Sequence, residues 1–232
     1  MRSLFCRSED GEIGAIGIGA MIVFIAMILV AGIAASVLVQ TSNTVQIQAL
    51  QTGQQTTKEV ASGLSVFEIT GEVGYNGSSG LTNLSKLAVV VKSRPGSGDI
   101  DLNNTYILIS DGVKKALLRY NTSCFVDPVS GNMFTGSGSL SSGEWTNVTR
   151  ESFGIGVLQD EDNSLTWNNP VLNRGDKAVL FIRCNSTNSG LFNREIPTRT
   201  DVFGRVIPEI GASGVISFTS PMTYVDRIYK LQ

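Results

Sequence analysis

The 232-residue chain contains no histidine. That removes both the commonest general base and the commonest transition-metal ligand. Charged residues make up only 16 % and formal net charge is −2, which argues against electrostatic capture of nucleic acid. There are only 3 cysteines. Nowhere does a Gly-x-Ser-x-Gly elbow occur, nor a glycine loop ahead of a Lys-Ser/Thr pair. Serine nucleophiles lack a histidine partner, so no residue takes a catalytic role and no cofactor is expected. No internal repeat is visible. Charge is also missing over one long stretch, from Ala15 to Thr57.

The first part of that stretch, AIGIGAMIVFIAMILVAGIAASVLV (15–39), carries a single side-chain hydroxyl, Ser36. As a helix it would be about 37 Å long, enough to cross a bilayer core of about 30 Å. In hydrocarbon the backbone has no partner but itself, so helix is the expected state. Small residues recur four apart, as Ala15 with Gly19, Ala31 with Ala35, and Gly32 with Ser36. That spacing lets helices approach closely. From Gln40 to Ser62 the composition turns amphipathic and polar, with Val45, Ile47, Ala49 and Leu50 ahead of Val60 and Ala61. One helix over 15–62 would span about 72 Å. Gly53 is its weak point and Gly63 its stop. The alternative is a break near Thr41 into a flexible stalk.

Beyond Gly63 short apolar or alternating runs are divided by Gly, Asn, Ser and Asp. Strands are predicted over 64–71, 84–93, 105–110, 115–120, 154–159, 177–184, 201–208, 214–220 and 224–231. Turns are expected at Tyr75-Asn76-Gly77, Ser110-Asp111-Gly112 and Asn173-Arg174-Gly175. Strands with little helical pattern between them predict a β-sandwich over 63–232, and an α+β chain as a whole.

The block GAIGIGAMIVFIAMILVAGIAASVL (14–38), with its VFIAM core from Val23 to Met27, resembles the N-terminal region of archaellins, the filament subunits of the archaeal swimming organelle. The segments 96–112, 171–182 and 206–221 resemble archaellin strand motifs. The resemblance implies an immunoglobulin-like antiparallel β-sandwich lying outside the cell. It implies a short leader, residues 1–14, removed between Gly14 and Ala15 by a membrane aspartic peptidase of the prepilin type. Glu12 and Ile13 stand where the family usually has basic residues, and Gly11 offers a second site. Bacterial type IV pilins carry glutamate at the fifth mature position, where this chain has Gly19. The leader holds two arginines against three carboxylates, unlike the positive leader of ordinary secretion. The other reading of residues 1–14 is a cytoplasmic tail.

The function implied is a structural subunit of the archaeal motility filament. Residues 15–39 are stored in the membrane, then pack on copies of themselves at Gly17, Gly19, Phe24, Ala31, Gly32 and Ala35. Expected partners are other copies, other archaellins, the leader peptidase, and the membrane assembly and motor complex. Two alternatives are an adhesive type IV-like pilin and a single-pass surface protein with an extracellular β domain.

Six asparagines begin Asn-x-Ser/Thr sequons: Asn76, Asn83, Asn103, Asn121, Asn147 and Asn185. Chance would supply roughly three. They read as N-glycosylation sites or, for Asn76 above all, as turn asparagines. Cys6 would leave with the leader. Cys124 and Cys184 form either a disulfide or two small buried hydrophobes. Asp160, Glu161, Asp162 and Asn163 gather oxygen ligands of the kind Ca²⁺ takes, with no EF-hand spacing. A solvated acidic turn is the expected reading there, and no metal is assigned. Asp99 and Asp101 alternate at a strand start.

Overall fold

A computed structural model describes residues 9–78, 80–134, 145, 147–184, 191–192 and 194–232. Most of the leader (1–8) and the sequon asparagine Asn185 lie outside the described residues. The chain divides into two units, residues 1–55 and 56–232.

One α-helix, α1, runs over Glu9–Ala61 for 53 residues, about 80 Å. It continues through Thr41 without the break weighed above. At this point Thr41 Oγ1 donates to Val37 O, and Thr44 Oγ1 donates to Gln40 O at 2.9 Å. Each hydroxyl is satisfied on its own helix and adds no polar demand outside it. Lys58 in the last turn complements the helix dipole. α1 is also long and apolar enough to cross a membrane. It ends ahead of Gly63 for a steric reason. A Cβ on Gly63 would lie 2.7 Å from Ala212 O, so only glycine lets the two backbones approach.

Among the described residues eleven strands follow: β1 (Leu64–Asn76), β2 (Gly80–Ser93), β3 (Ile100–Asp101), β4 (Tyr106–Ser110), β5 (Lys115–Val126), β6 (Ser152–Gln159), β7 (Val171–Leu172), β8 (Lys177–Arg183), β9 (Asp201–Ile207), β10 (Gly214–Thr219) and β11 (Ile228–Lys230). Nine form one sheet in the order β10-β9-β4-β5-β6-β8-β2-β1-β11, and β3 pairs with β7. All pairs are antiparallel except β5 with β6. The two layers of the expected sandwich therefore belong largely to one continuous sheet that curls. Leu64 N donates to Ala212 O at 3.0 Å, and Ala212 N to Ser62 O at 2.8 Å. Gln232 bridges further along, accepting from Ile69 N at 3.0 Å through its backbone and from Ser217 N at 3.1 Å through its side chain. Joining the two flanks hides edges that would otherwise invite pairing with another chain.

The main core lies inside the curl, where Ile69, Leu87, Val89, Ile109, Phe153, Leu180, Val206 and Ile216 meet. β2 and β8 are buried on both faces. Their alternate residues Ala88, Val90, Val179 and Phe181 join Cys124, Phe134, Trp145 and Val148 in a second cluster. Trp145 meets Phe181 edge-on with ring centroids 5.4 Å apart. Double burial is why KLAVVV and KAVLFI read as unbroken apolar runs, whereas β10 alternates buried and exposed. The buried carboxylate of Glu72 is held by Lys86 Nζ at 2.8 Å and Arg227 Nη2 at 3.2 Å. That pairing offsets the desolvation of a lone charge.

The cysteines settle on the apolar alternative. Cys124 packs in the second cluster and Cys184 in the main core, both fully buried and neither in a disulfide. The disulfide weighed from the sequence is thereby corrected: the two thiols belong to different cores. Burial, with the Asp111 charge behind it, pushes the Cys184 thiol well above its ordinary pKa.

Candidate assembly surface

From Ile16 to Val60 every residue of α1 is exposed. Ile16, Phe24 and Leu38 keep 72 %, 65 % and 70 % of their surface. Each such side chain would gain about 1.5–3 kcal/mol on full burial, so water is not the medium in which this surface functions. The expected packing residues Gly17, Gly19, Phe24, Ala31, Gly32 and Ala35 all lie on this exposed helix, and Gly14 and Ala15 lie in its second turn. A Cβ on Gly14, Gly17, Gly19 or Gly32 would meet nothing within 4 Å. Glycine inside a helix costs about 1 kcal/mol against alanine. Among the described residues, nothing in the chain's own packing requires glycine at these positions.

The sequons differ in access. Asn103 and Asn147 are exposed. Asn83 is half-buried within β2. Asn121 Nδ2 donates to Asn147 O at 3.2 Å, and Asn121 Oδ1 accepts from Ser123 N at 3.1 Å. Asn76 closes β1 ahead of the Gly77 turn.

The acidic turn is more built than its sequence indicates. Asp160, Asp162 and Asp176 each bring a carboxylate oxygen to within 4.8 Å of the others. Asp160 Oδ2 accepts from Leu165 N at 2.9 Å, and Asp162 Oδ1 from Ser164 N at 3.1 Å. Asn173 Nδ2 donates to Asp162 Oδ2. Hydrogen bonds from Ser164, then Asn173, hold Asp162 below the ordinary carboxylate range. Asp176 is only 2 % exposed. Its Oδ2 accepts from Asn173 N at 3.0 Å, while its buried Oδ1 has no hydrogen-bond partner among the described residues. Three carboxylates with one buried, unpaired oxygen suit a hard divalent cation bound at about 2.3–2.6 Å. The solvated turn expected from the sequence lacked Asp176, which sits fourteen residues after Asp162 in the Asn173–Asp176 turn. Only its place in a second turn signal could have pointed to it.

A long helix bare on all sides, joined to a stapled β domain, defines a subunit that completes itself by assembly. The family model for archaeal-type flagellin matches residues 14–218. Flagellin B2 of Methanocaldococcus jannaschii is 43 % identical over 222 residues, covering 96 % of this chain and 95 % of that protein. Flagellin B3 of Thermococcus kodakarensis is 38 % identical, covering 94 % and 97 %. The crystal structure of archaeal flagellin FlaB1 from Methanocaldococcus jannaschii superposes with a TM-score of 0.61 at 34 % identity, covering 74 % of this chain and 98 % of that one. The archaeal flagellum of Methanospirillum hungatei shares the fold with a TM-score of 0.56 at 16 % identity, over 93 % and 98 % of the two chains. The chain belongs to the archaeal-type flagellin family. It is a structural subunit of an extracellular surface filament.

Proposed function

We propose that this flagellin is made as a membrane-stored precursor and polymerises through α1 once residues 1–14 are removed. In the precursor, residues 15–39 sit in lipid with the leader inside and the β domain outside. A prepilin-type aspartic peptidase cuts between Gly14 and Ala15. The leader's Glu9, Asp10 and Glu12 would otherwise enter an apolar helix bundle, at a cost of several kcal/mol per unpaired charge. The trimmed helix leaves lipid for a bundle of identical helices, packing closely at Gly17, Gly19, Ala31 and Gly32. Repetition of the same contact generates an open helical array, with the β domains as its surface and other archaellins admitted to it. A membrane assembly and motor complex, driven by ATP, turns it. The role is structural rather than catalytic.

One observation carries this reading: α1 is apolar over residues 16–39, wholly exposed, and keeps glycine where its own chain requires none. The test is N-terminal sequencing of filaments sheared from cells, together with electron microscopy. Threads whose subunits begin at Ala15 support it. Subunits that keep Met1 and never sediment as threads overturn it.

A second reading concerns the carboxylate cluster. Asp160, Asp162 and Asp176 bind Ca²⁺, with Ser164 and Asn173 at the rim, because the buried Asp176 oxygen otherwise stays unpaired. N-linked sugar on at least two of the six sequons completes the mature surface.

A further inference from the structure

Beyond one end of β4 lie Lys114 and Lys115 and beyond the other Asp101 and Glu209, with Asp201 of β9 at the lysine end and Arg119 of β5 at the carboxylate end. Within β4, Ser110 pairs with Lys115 and Phe203, while Tyr106 pairs with Arg119 and Ile207. The β4–β5 turn (111–114) therefore lies beyond one end, and Asp101 and Glu209 lie beyond the other. The four rises between Tyr106 and Ser110 alone separate these poles by about 14 Å.

At the first pole stands an apolar knob. Val113 keeps 75 % of its surface, with Lys114 and Lys115 exposed beside it. Arg150 and Glu151 line the hollow next to these lysines. The turn is rigidly held. Asp111 is 5 % exposed, and its Oδ1 accepts from Val113 N at 3.0 Å and Lys114 N at 2.7 Å. Its Oδ2 accepts from Arg194 Nη2 at 2.6 Å, and Gly112 supplies the positive φ of 81°. A buried carboxylate and an arginine thus hold a valine that stays 75 % exposed among the described residues.

At the second pole is a cavity of about 400 Å³ whose lining includes Ile100 and the 55 % exposed Ile210. Asp99, Asp101 and Glu209 surround it, with Lys58 as the cation on the rim. Asn104 Nδ2 donates both to Asp101 Oδ2 at 3.1 Å and to Glu209 Oε2 at 3.4 Å, drawing two carboxylates together. One pole is a valine followed by two lysines, and the other is an apolar hollow among carboxylates.

We propose that the occupant of this hollow is the Val113 turn of a second copy of the chain, with Lys114 and Lys115 meeting Asp99, Asp101 and Glu209 across the contact. The inference rests on the filament reading and adds the β-domain contact to it. Because the two poles differ, the contact is head-to-tail and each copy leaves one pole open for the next. Like other exposed ion pairs, it weakens as salt rises.

The test uses the full-length protein in cells that assemble it. In filaments of the V113C/I210C variant, mild oxidation gives a ladder of disulfide-linked multimers on a non-reducing gel, while each single variant stays monomeric. A bond within one chain is ruled out, since Cα atoms more than about 7 Å apart cannot be bridged. The background is low because Cys124 and Cys184 are buried. In parallel, K115E, which leaves the Lys114 Nζ bond to Phe192 O at 2.8 Å in place, loses long filaments while its thermal melting stays unchanged, and adding E209K restores them. Filaments of the double-cysteine variant that run only as monomers, or charge reversal that the swap does not rescue, overturn the inference. Failure of the unsubstituted chain to form filaments would instead sink the filament reading.

Discussion

α1 and the β domain draw on the same apolar residue types and place them oppositely. Phe24 on α1 is 65 % exposed, whereas Phe181 on β8 is fully buried against Trp145 and the second cluster. Glycine divides in the same way. Gly32 faces nothing within 4 Å, while a Cβ on Gly204 in β9 would stand 2.6 Å from Leu108 O. The β domain satisfies itself within one chain. The apolar helix finds no such satisfaction within the described chain, where Ile16 to Val60 stay exposed. The lesson is that exposure in α1 marks a surface with a later partner, and that glycine in the two regions answers to different neighbours.

Four experiments bear on that contrast. The largest effect comes from exchanging glycines. Gly32→Leu abolishes filaments in electron micrographs while leaving the melting of the β domain unchanged, since nothing of its own chain is near. Gly204→Val does the reverse and unfolds the β domain, because backbone rather than a movable side chain blocks the new methyls. If Gly32→Leu filaments were normal, the contrast would fail. Next, Phe181→Ala costs about 3–5 kcal/mol in urea unfolding, whereas Phe24→Ala leaves that transition unmoved.

A smaller shift is expected from Ca²⁺. At a hundredfold excess over its dissociation constant, it stabilises the β domain by about 2.7 kcal/mol in calorimetry. Asp176→Asn removes the shift, and a gain that survives this substitution rules the cluster out. The smallest effect is confined to acid. Burial alone would raise the Asp111 pKa, but backbone hydrogen bonds from Lys114 and Val113, with the Arg194 pair, outweigh it and hold the carboxyl below its ordinary 3.8. A depressed folded pKa means stability present above about pH 4 and lost as pH falls through the folded value. Asp111→Asn therefore lowers the melting temperature at neutral pH and flattens its decline below pH 4. An unchanged acid limb would show that Asp111 contributes nothing there.

The strands legible in the sequence were those with a long apolar or alternating run, and β2, β8, β9 and β10 appear close to their predicted bounds. β3 and β7, of two residues each, are too short to carry a period. The run at 224–231 shrinks to β11, because Tyr224 turns into the core and its hydroxyl meets Ile196 O at 3.4 Å. β5 and β6 pair in parallel with a register shift between Tyr120 and Phe125, which no local pattern encodes. At the acidic turn Asp160 and Asp162 were visible together, but Asp176 arrives through a second turn. The cysteines were undecidable for the same reason, since the alternation of a doubly buried sheet sends them to different cores.

Local chemistry along the chain determined the helix: forty-three residues from Ala15 to Thr57 hold neither charge nor proline, and nothing in them breaks the helical hydrogen-bond ladder. It also determined which segments are strands, since period and apolar runs are local properties. Tertiary structure alone decided the curl that joins β1 to β10, the buried Glu72 cluster and the meeting of Asp160, Asp162 and Asp176. Those depend on contacts between residues far apart in sequence, whose geometry is set by how the whole sheet twists and closes.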